Sequence, residues 1–185
     1  MEDKNAKQKD FWSGKGGDYW VEKQSEMDIM LNPLGEKALA KLDLKSNSEV
    51  LDIGCGCGAT TLEIAKKVSE GTVTGLDISV PMLGKAESEA SIQGIENVEF
   101  KVVDVQVDQL ASEKYDYVYS RFGVMFFDDP YEAFKNIFSS IKEGGESSFV
   151  CWQDPSLNPW QSLSVQVIRG YLDMPSPPPR SPGPF

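Results

Sequence analysis

The sequence predicts an α/β fold: a doubly wound, mainly parallel sheet with helices on both faces, preceded by an N-terminal helical cap. Three observations predict it. From Glu49 onward, short runs rich in Val, Ile and Tyr alternate with segments of helical period, the pattern of strands joined by crossover helices. Residues 50–58 read Val-Leu-Asp-Ile-Gly-Cys-Gly-Cys-Gly, an apolar strand that turns at once into alternating glycines, and residues 59–68 continue with helical spacing. Residues 10–44 hold aromatic residues and a helical pattern of their own, with Met27, Met30, Leu31, Leu34, Ala38 and Leu42 in phase and an interruption at Asn32-Pro33.

The elements follow in order. Residues 1–45 are expected to form the cap, 46–155 the sheet and its helices, and 156–185 a helix with a proline-rich tail. Strands are expected at 50–53, 72–78, 98–103, 115–120 and 147–152. Between the second and third, Ser79 reads as an N-cap, Pro81 stands in the first turn, Met82, Leu83, Ala86 and Ala90 face inward, and Gly94 stops the helix. Before the fifth strand, Asp129 caps and Pro130 opens a helix whose stripe of Phe134, Ile137, Phe138 and Ile141 reads as core, with Gly144 and Gly145 as its stop. Residues 163–172 are apolar with helical spacing, and the prolines of 175–185 give an extended segment that cannot enter a sheet interior.

At 185 residues and 40% hydrophobic composition the chain suits one domain with a sizeable core. Lys and Arg number 18 against 29 Asp and Glu, so a net charge of −11 argues against nucleic acid and anionic lipid as partners. No apolar run approaches the roughly 20 residues of a membrane span, and the N-terminus is too polar for a signal peptide, so a cytoplasmic location without membrane insertion is expected. Three cysteines, an odd number, argue against a disulfide framework and read as reduced.

The glycine turn is a ligand cradle. Gly54, Gly56 and Gly58 permit positive φ and a close approach to the main chain, while the helix after them presents unpaired N–H groups. Two ligand classes use such a turn. Gly54, Gly56 and Ala59 fit the dinucleotide spacing GxGxxG/A, whereas Gly54, Gly56 and Gly58 equally fit GxGxG, common in S-adenosylmethionine enzymes. Asp77, ending the second strand, stands where an acid accepts hydrogen bonds from an adenosine ribose in either class. Asp52 tips the balance. A carboxylate under the cradle opposes a pyrophosphate but attracts a methionyl ammonium, and nothing after Ser120 supplies a second mononucleotide-binding half. Asp104, ending the third strand, could accept an adenine amino group, with Val105 beside it.

The segments 50–58, Gly75-Leu-Asp-Ile-Ser79, Asp104 and Asp116-Tyr-Val-Tyr-Ser-Arg-Phe-Gly-Val-Met-Phe-Phe127 together resemble the class I S-adenosylmethionine-dependent methyltransferases, whose core is Rossmann-like. The stretch 120–127 and the Cys151-Trp152 and Asn158-Pro159-Trp160 pair point to the UbiE-like small-molecule branch. The resemblance implies S-adenosyl-L-methionine as cofactor, held by Gly54, Gly56, Asp77 and Asp104, with Ile78, Met82 and Val105 lining the adenine. Asp52, Cys55, Gly58 and Ser120 complete the candidate contacts, and an aromatic N-terminal segment, Trp12, Tyr19 or Trp20, is expected over the methionyl end. Cys57 stands where the family usually has Thr or Ser. The family's sheet has seven strands, and the chain reaches Phe185 without the last two, so the resemblance implies a C-terminal truncation and an uncovered fifth strand open to pairing with a second copy.

Methyl transfer is an in-line displacement that needs positioning more than acid–base chemistry. The chain has no histidine, so an acceptor must meet a carboxylate, a tyrosine or arrive already ionised; a small aromatic or quinone-like acceptor fits. Arg121, at the carboxyl end of the fourth strand, is the candidate catalytic residue, orienting an anionic acceptor. Blander readings stand beside these: Asp52 shaping the glycine loop, Arg121 in a structural ion pair, Trp152 packing an edge strand, and Trp12, Tyr19 and Trp20 stapling the cap. Cys55, Cys57 and Cys151 cannot assemble a four-ligand soft metal site without histidine, so no metal is expected. Catalytically silent cofactor binding and nicotinamide-dependent oxidoreduction are the rival functions.

Overall fold

A computed structural model of the chain describes residues 5–173 and Gly183. Three helices come first, α1 (Ala6–Trp12), α2 (Lys15–Glu22) and α3 (Gln24–Leu39). The alternating region follows as β1 (Glu49–Ile53), α4 (Ala59–Lys67), β2 (Thr72–Asp77), α5 (Val80–Gln93), β3 (Val98–Val102), β4 (Tyr115–Arg121), α6 (Pro130–Ser140) and β5 (Ile141–Val150), and α7 (Pro159–Arg169) comes after it. All five strands pair in parallel in the order β3-β2-β1-β4-β5. The order reverses between β1 and β4, where an open parallel sheet forms a crevice beyond its carboxyl edge.

Helices cover both faces, so the inner strands are apolar on both sides rather than alternating with polar residues. Leu51 and Ile53 of β1 join Leu76, Val118 and Ile137 on one face. Val50, one residue out of phase, joins Val73, Ile64, Val68 and Tyr119 on the other. Each such aliphatic side chain contributes about 1.5–3 kcal/mol by leaving water. Phase also sets the site, because Asp52 shares the face of Val50 and meets Thr61 on α4.

Three expectations are corrected. The helix expected to break near Asn32-Pro33 runs unbroken as α3, and the carbonyl that Pro33 leaves without a donor belongs to Ile29, which is 80% exposed and open to water. The helix expected to reach Gly144 ends at Ser140, and β5 spans Ile141–Val150 instead of 147–152. Gly144, at φ +78°, lies inside a bulge where β4 advances from Tyr115 to Tyr117 while β5 advances from Ile141 to Glu146. Phe134 and Phe138 are exposed rather than core, since Ala133, Ile137 and Ser140 form the face that α6 buries. The proline-rich stretch of 175–182 lies outside the described residues. Among the described residues, no helix is long and apolar enough to cross a membrane.

Candidate functional site

β1 runs into a loop with Gly54, Gly56 and Gly58 at φ +64°, +56° and +81°, a conformation L side chains rarely hold. A Cβ on Gly54 would stand 2.7 Å from the Cα of Gly123, so the loop also needs glycine for its approach to the turn after β4. Gly58 is the N-cap of α4 and offers no side chain to its first N–H groups. A Cβ there would meet Ala86 of α5 at 2.8 Å, which makes Gly58 a packing position as well as a turn.

Three carboxyl groups surround this loop. Asp77, at the end of β2, accepts from the Gly56 N–H and from the Ser79 N–H, each at 2.9 Å, and so ties loop to turn. Burial pushes its pKa up against the pull of these backbone donors. Asp52 is 1% exposed and accepts from Thr61 Oγ1 at 2.7 Å. Burial pushes it up to about 7, opposed by the Thr61 hydroxyl and the Arg121 charge. Asp104, just beyond β3, accepts from the Gln106 N–H at 3.1 Å and from Asn5 Nδ2 at 3.1 Å, with Lys9 Nζ at 3.3 Å. The start of the cap is therefore docked on the acid expected to read adenine.

Two expected roles are revised. Arg121 does not present a bare guanidinium to an acceptor: it donates to Asp28 at 2.8 Å and to Asn32, both on α3, which binds that helix to β4. Ser120, expected at the cofactor, is fully buried, donates to the Ile53 carbonyl at 2.7 Å and accepts from the Gly123 N–H at 3.2 Å. It fastens the turn after β4 to the end of β1 behind the loop.

A cavity of about 200 Å³ opens at the carboxyl edge. Over the β3-β2 half it is walled by Asp77, Ile78, Met82, Asp104 and Val105. Over the β4-β5 half it is walled by Arg121, Phe122, Met125, Phe126 and Trp152. Trp12 and Trp20 of the cap and Gly54 line it too, and Trp12 meets Phe126 edge-on with centroids 5.1 Å apart. A smaller polar recess of about 30 Å³ adjoins it under the loop, lined by Trp20, Asp28, Asp52, Cys55, Thr60 and Arg121 among others. Burial pushes the Cys55 thiol well above its ordinary pKa and that of Cys57 up to about 12, which keeps both protonated. Among the described residues, no group of acids and thiols is arranged to hold a metal ion.

Several of these residues carried no signal in the sequence. Asp28 and Asn32 lie 93 and 89 positions from Arg121, and nothing local marks them. Phe122 adopts φ +61°, a conformation that costs a bulky residue on the order of 1–3 kcal/mol. Thr61 could have been found, because it falls one turn into the helix that packs on the face carrying Asp52.

The comparisons with known proteins agree with this geometry. A family model described as a methyltransferase domain matches residues 44–159. The aklanonic acid methyltransferase DauC of Streptomyces sp. (strain C5) is 31% identical over 118 residues, covering 63% of this chain and 54% of that protein. The ubiquinone/menaquinone biosynthesis C-methyltransferase UbiE of Bdellovibrio bacteriovorus is 32% identical over 121 residues, covering 65% and 51%. The chain thus spans about half the length of these curated relatives. Among solved structures, a SAM dependent methyltransferase from Aquifex aeolicus matches with a TM-score of 0.60 at 23% identity over 64% of each chain, a likeness of fold.

Proposed function

This chain belongs to the class I S-adenosylmethionine-dependent methyltransferase family, and from that premise we propose that it transfers the methyl group of S-adenosylmethionine to a small aromatic or quinone-like acceptor. The observation that carries this reading is the division of one cavity into two chemistries, carboxylates over the β3-β2 half and aromatic rings over the β4-β5 half.

The residues fit the cofactor. Asp77 retains lone pairs for ribose hydroxyls while it ties Gly56 to Ser79, and Asp104 is an acceptor for an adenine amino group. Ile78, Met82 and Val105 give a flat base an apolar slot. The glycine loop excludes any Cβ from the approach, and the adjoining polar recess brings the Asp52 carboxyl to the side where the cofactor's ammonium would lie. When bound, the cofactor supplies an electrophilic methyl on a sulfonium. The protein's part is to hold a nucleophile in line with it and to exclude water.

Among the described residues, the titratable side chains on the main cavity wall are Asp77, Asp104 and Arg121, and each already has partners. An acceptor therefore brings its own nucleophile, an ionised phenol, a thiolate or a stabilised carbanion, instead of being deprotonated by a base on this wall. Incubation with methyl-labelled S-adenosylmethionine and a panel of phenols, hydroquinones and thiols is expected to label at least one ring-bearing acceptor. A chain that binds S-adenosylhomocysteine yet labels none of the panel would be a binding module, not a transferase for this class.

A further inference from the structure

The wall of the cavity over β4 and β5 contains a conformation that the local sequence opposes. Phe122 takes φ +61° although a glycine follows it, and Gly123 itself sits at φ −80°. The glycine is needed elsewhere, since a Cβ at 123 would lie 2.5 Å from the Ile53 carbonyl oxygen and 2.8 Å from the Cα of Gly54. The left-handed residue thus falls to a phenylalanine, and strain of that kind persists only where the surroundings hold it. They hold it by several contacts. The Phe122 N–H donates to the Val150 carbonyl at 2.9 Å, and the Phe122 ring lies on Trp152 with centroids 4.6 Å apart and planes 19° from parallel. The Trp152 N–H in turn meets Met125 Sδ at 3.2 Å, and its ring tilts against Trp160 at 5.3 Å. Phe122, Met125 and Trp152 all face the cavity.

We propose that the Phe122–Trp152 stack is the specificity-determining wall for the acceptor, selecting a planar aromatic ring over a saturated ring of the same size. The inference rests on the methyl-transfer reading and names what in that site chooses the substrate. The mutual stack fixes both rings before any ligand arrives, so a planar ring meets a preformed aromatic wall without ordering it, whereas a puckered ring touches it at fewer atoms.

The test uses the full chain saturated with S-adenosylhomocysteine, titrated by calorimetry with 2-naphthol and with decahydro-2-naphthol. The wild-type chain should favour the planar probe by about tenfold. Phe122→Leu and Trp152→Leu should each bring that preference within about twofold while leaving S-adenosylhomocysteine affinity within about threefold, and Trp152→Phe should keep most of the preference. Two leucine variants guard against one failing to fold. No preference in the wild-type chain, or an undiminished preference in a folded leucine variant, would overturn the proposal. Failure of the wild-type chain to bind S-adenosylhomocysteine would instead sink the methyl-transfer reading, and this proposal with it.

Discussion

At Asp52 a carboxyl group lies 1% exposed beneath the glycine loop, with Thr61 as its hydrogen-bond donor and Arg121 as the nearby positive charge. Burial raises its pKa from 3.8 to about 7, so the folded chain holds that proton more tightly than the unfolded chain does. Stability from this group is full below about pH 4 and is lost as pH rises toward 7, because between those values only the folded state keeps the proton. A shift of this size corresponds to roughly 4 kcal/mol. Asp52→Asn keeps an acceptor for Thr61 and removes the titration, so the urea midpoint of the wild-type chain should fall relative to the variant between about pH 4 and 7; parallel curves would refute the assignment. Asp52 was readable in the sequence from its place two residues before Gly54. The commitments of Arg121 and Ser120 were not, because their partners Asp28, Asn32, Ile53 and Gly123 are brought together only by the packing of α3 on β4 and of β4 on β1.

Among the elements, α1 is held to the site by its two ends. Asn5 and Lys9 meet Asp104, while Ser79 Oγ donates to the Trp12 carbonyl at 2.6 Å and Ser13 Oγ donates to the Ile78 carbonyl at 3.1 Å. The helix thereby lies across the acids of β2 and β3, and it is too short to persist unaided. Asn5→Ala combined with Lys9→Ala should speed amide hydrogen exchange in α1 several-fold while α5 and β1 keep their protection. Unchanged exchange in α1 would mean that the Ser79 and Ser13 contacts suffice to hold it. The existence of a helical cap was legible from the spacing of Met27 to Leu42, but its docking was not, since Asn5 and Asp104 are 99 positions apart. β5 shows the same limit. Gly144 and Gly145 look like a helix stop, yet pairing with β4 draws the chain into a strand at Ile141 and leaves the glycines to a bulge.

For the whole molecule, the parallel order β3-β2-β1-β4-β5 brings to one edge the residues that end each strand: the glycine loop after β1, Asp77 after β2, Asp104 after β3, Phe122 after β4 and Trp152 after β5. That convergence was largely foreseeable, because an apolar run ending in a glycine or an acid marks both a strand and the residue it carries to the carboxyl edge. The aromatic half of the cavity was less so, since it depends on one left-handed phenylalanine and on a ring stacked across two strands. Binding of the adenosine and methionyl parts of one cofactor at this edge is tested by calorimetric titration of the chain with S-adenosylhomocysteine, with NADH in parallel and Asp77→Ala as control. Binding in about the micromolar range is expected, which NADH does not displace and Asp77→Ala weakens by about tenfold or more, the cost of a lost charge-assisted hydrogen bond. Preferential binding of NADH, or S-adenosylhomocysteine binding indifferent to Asp77, would contradict it.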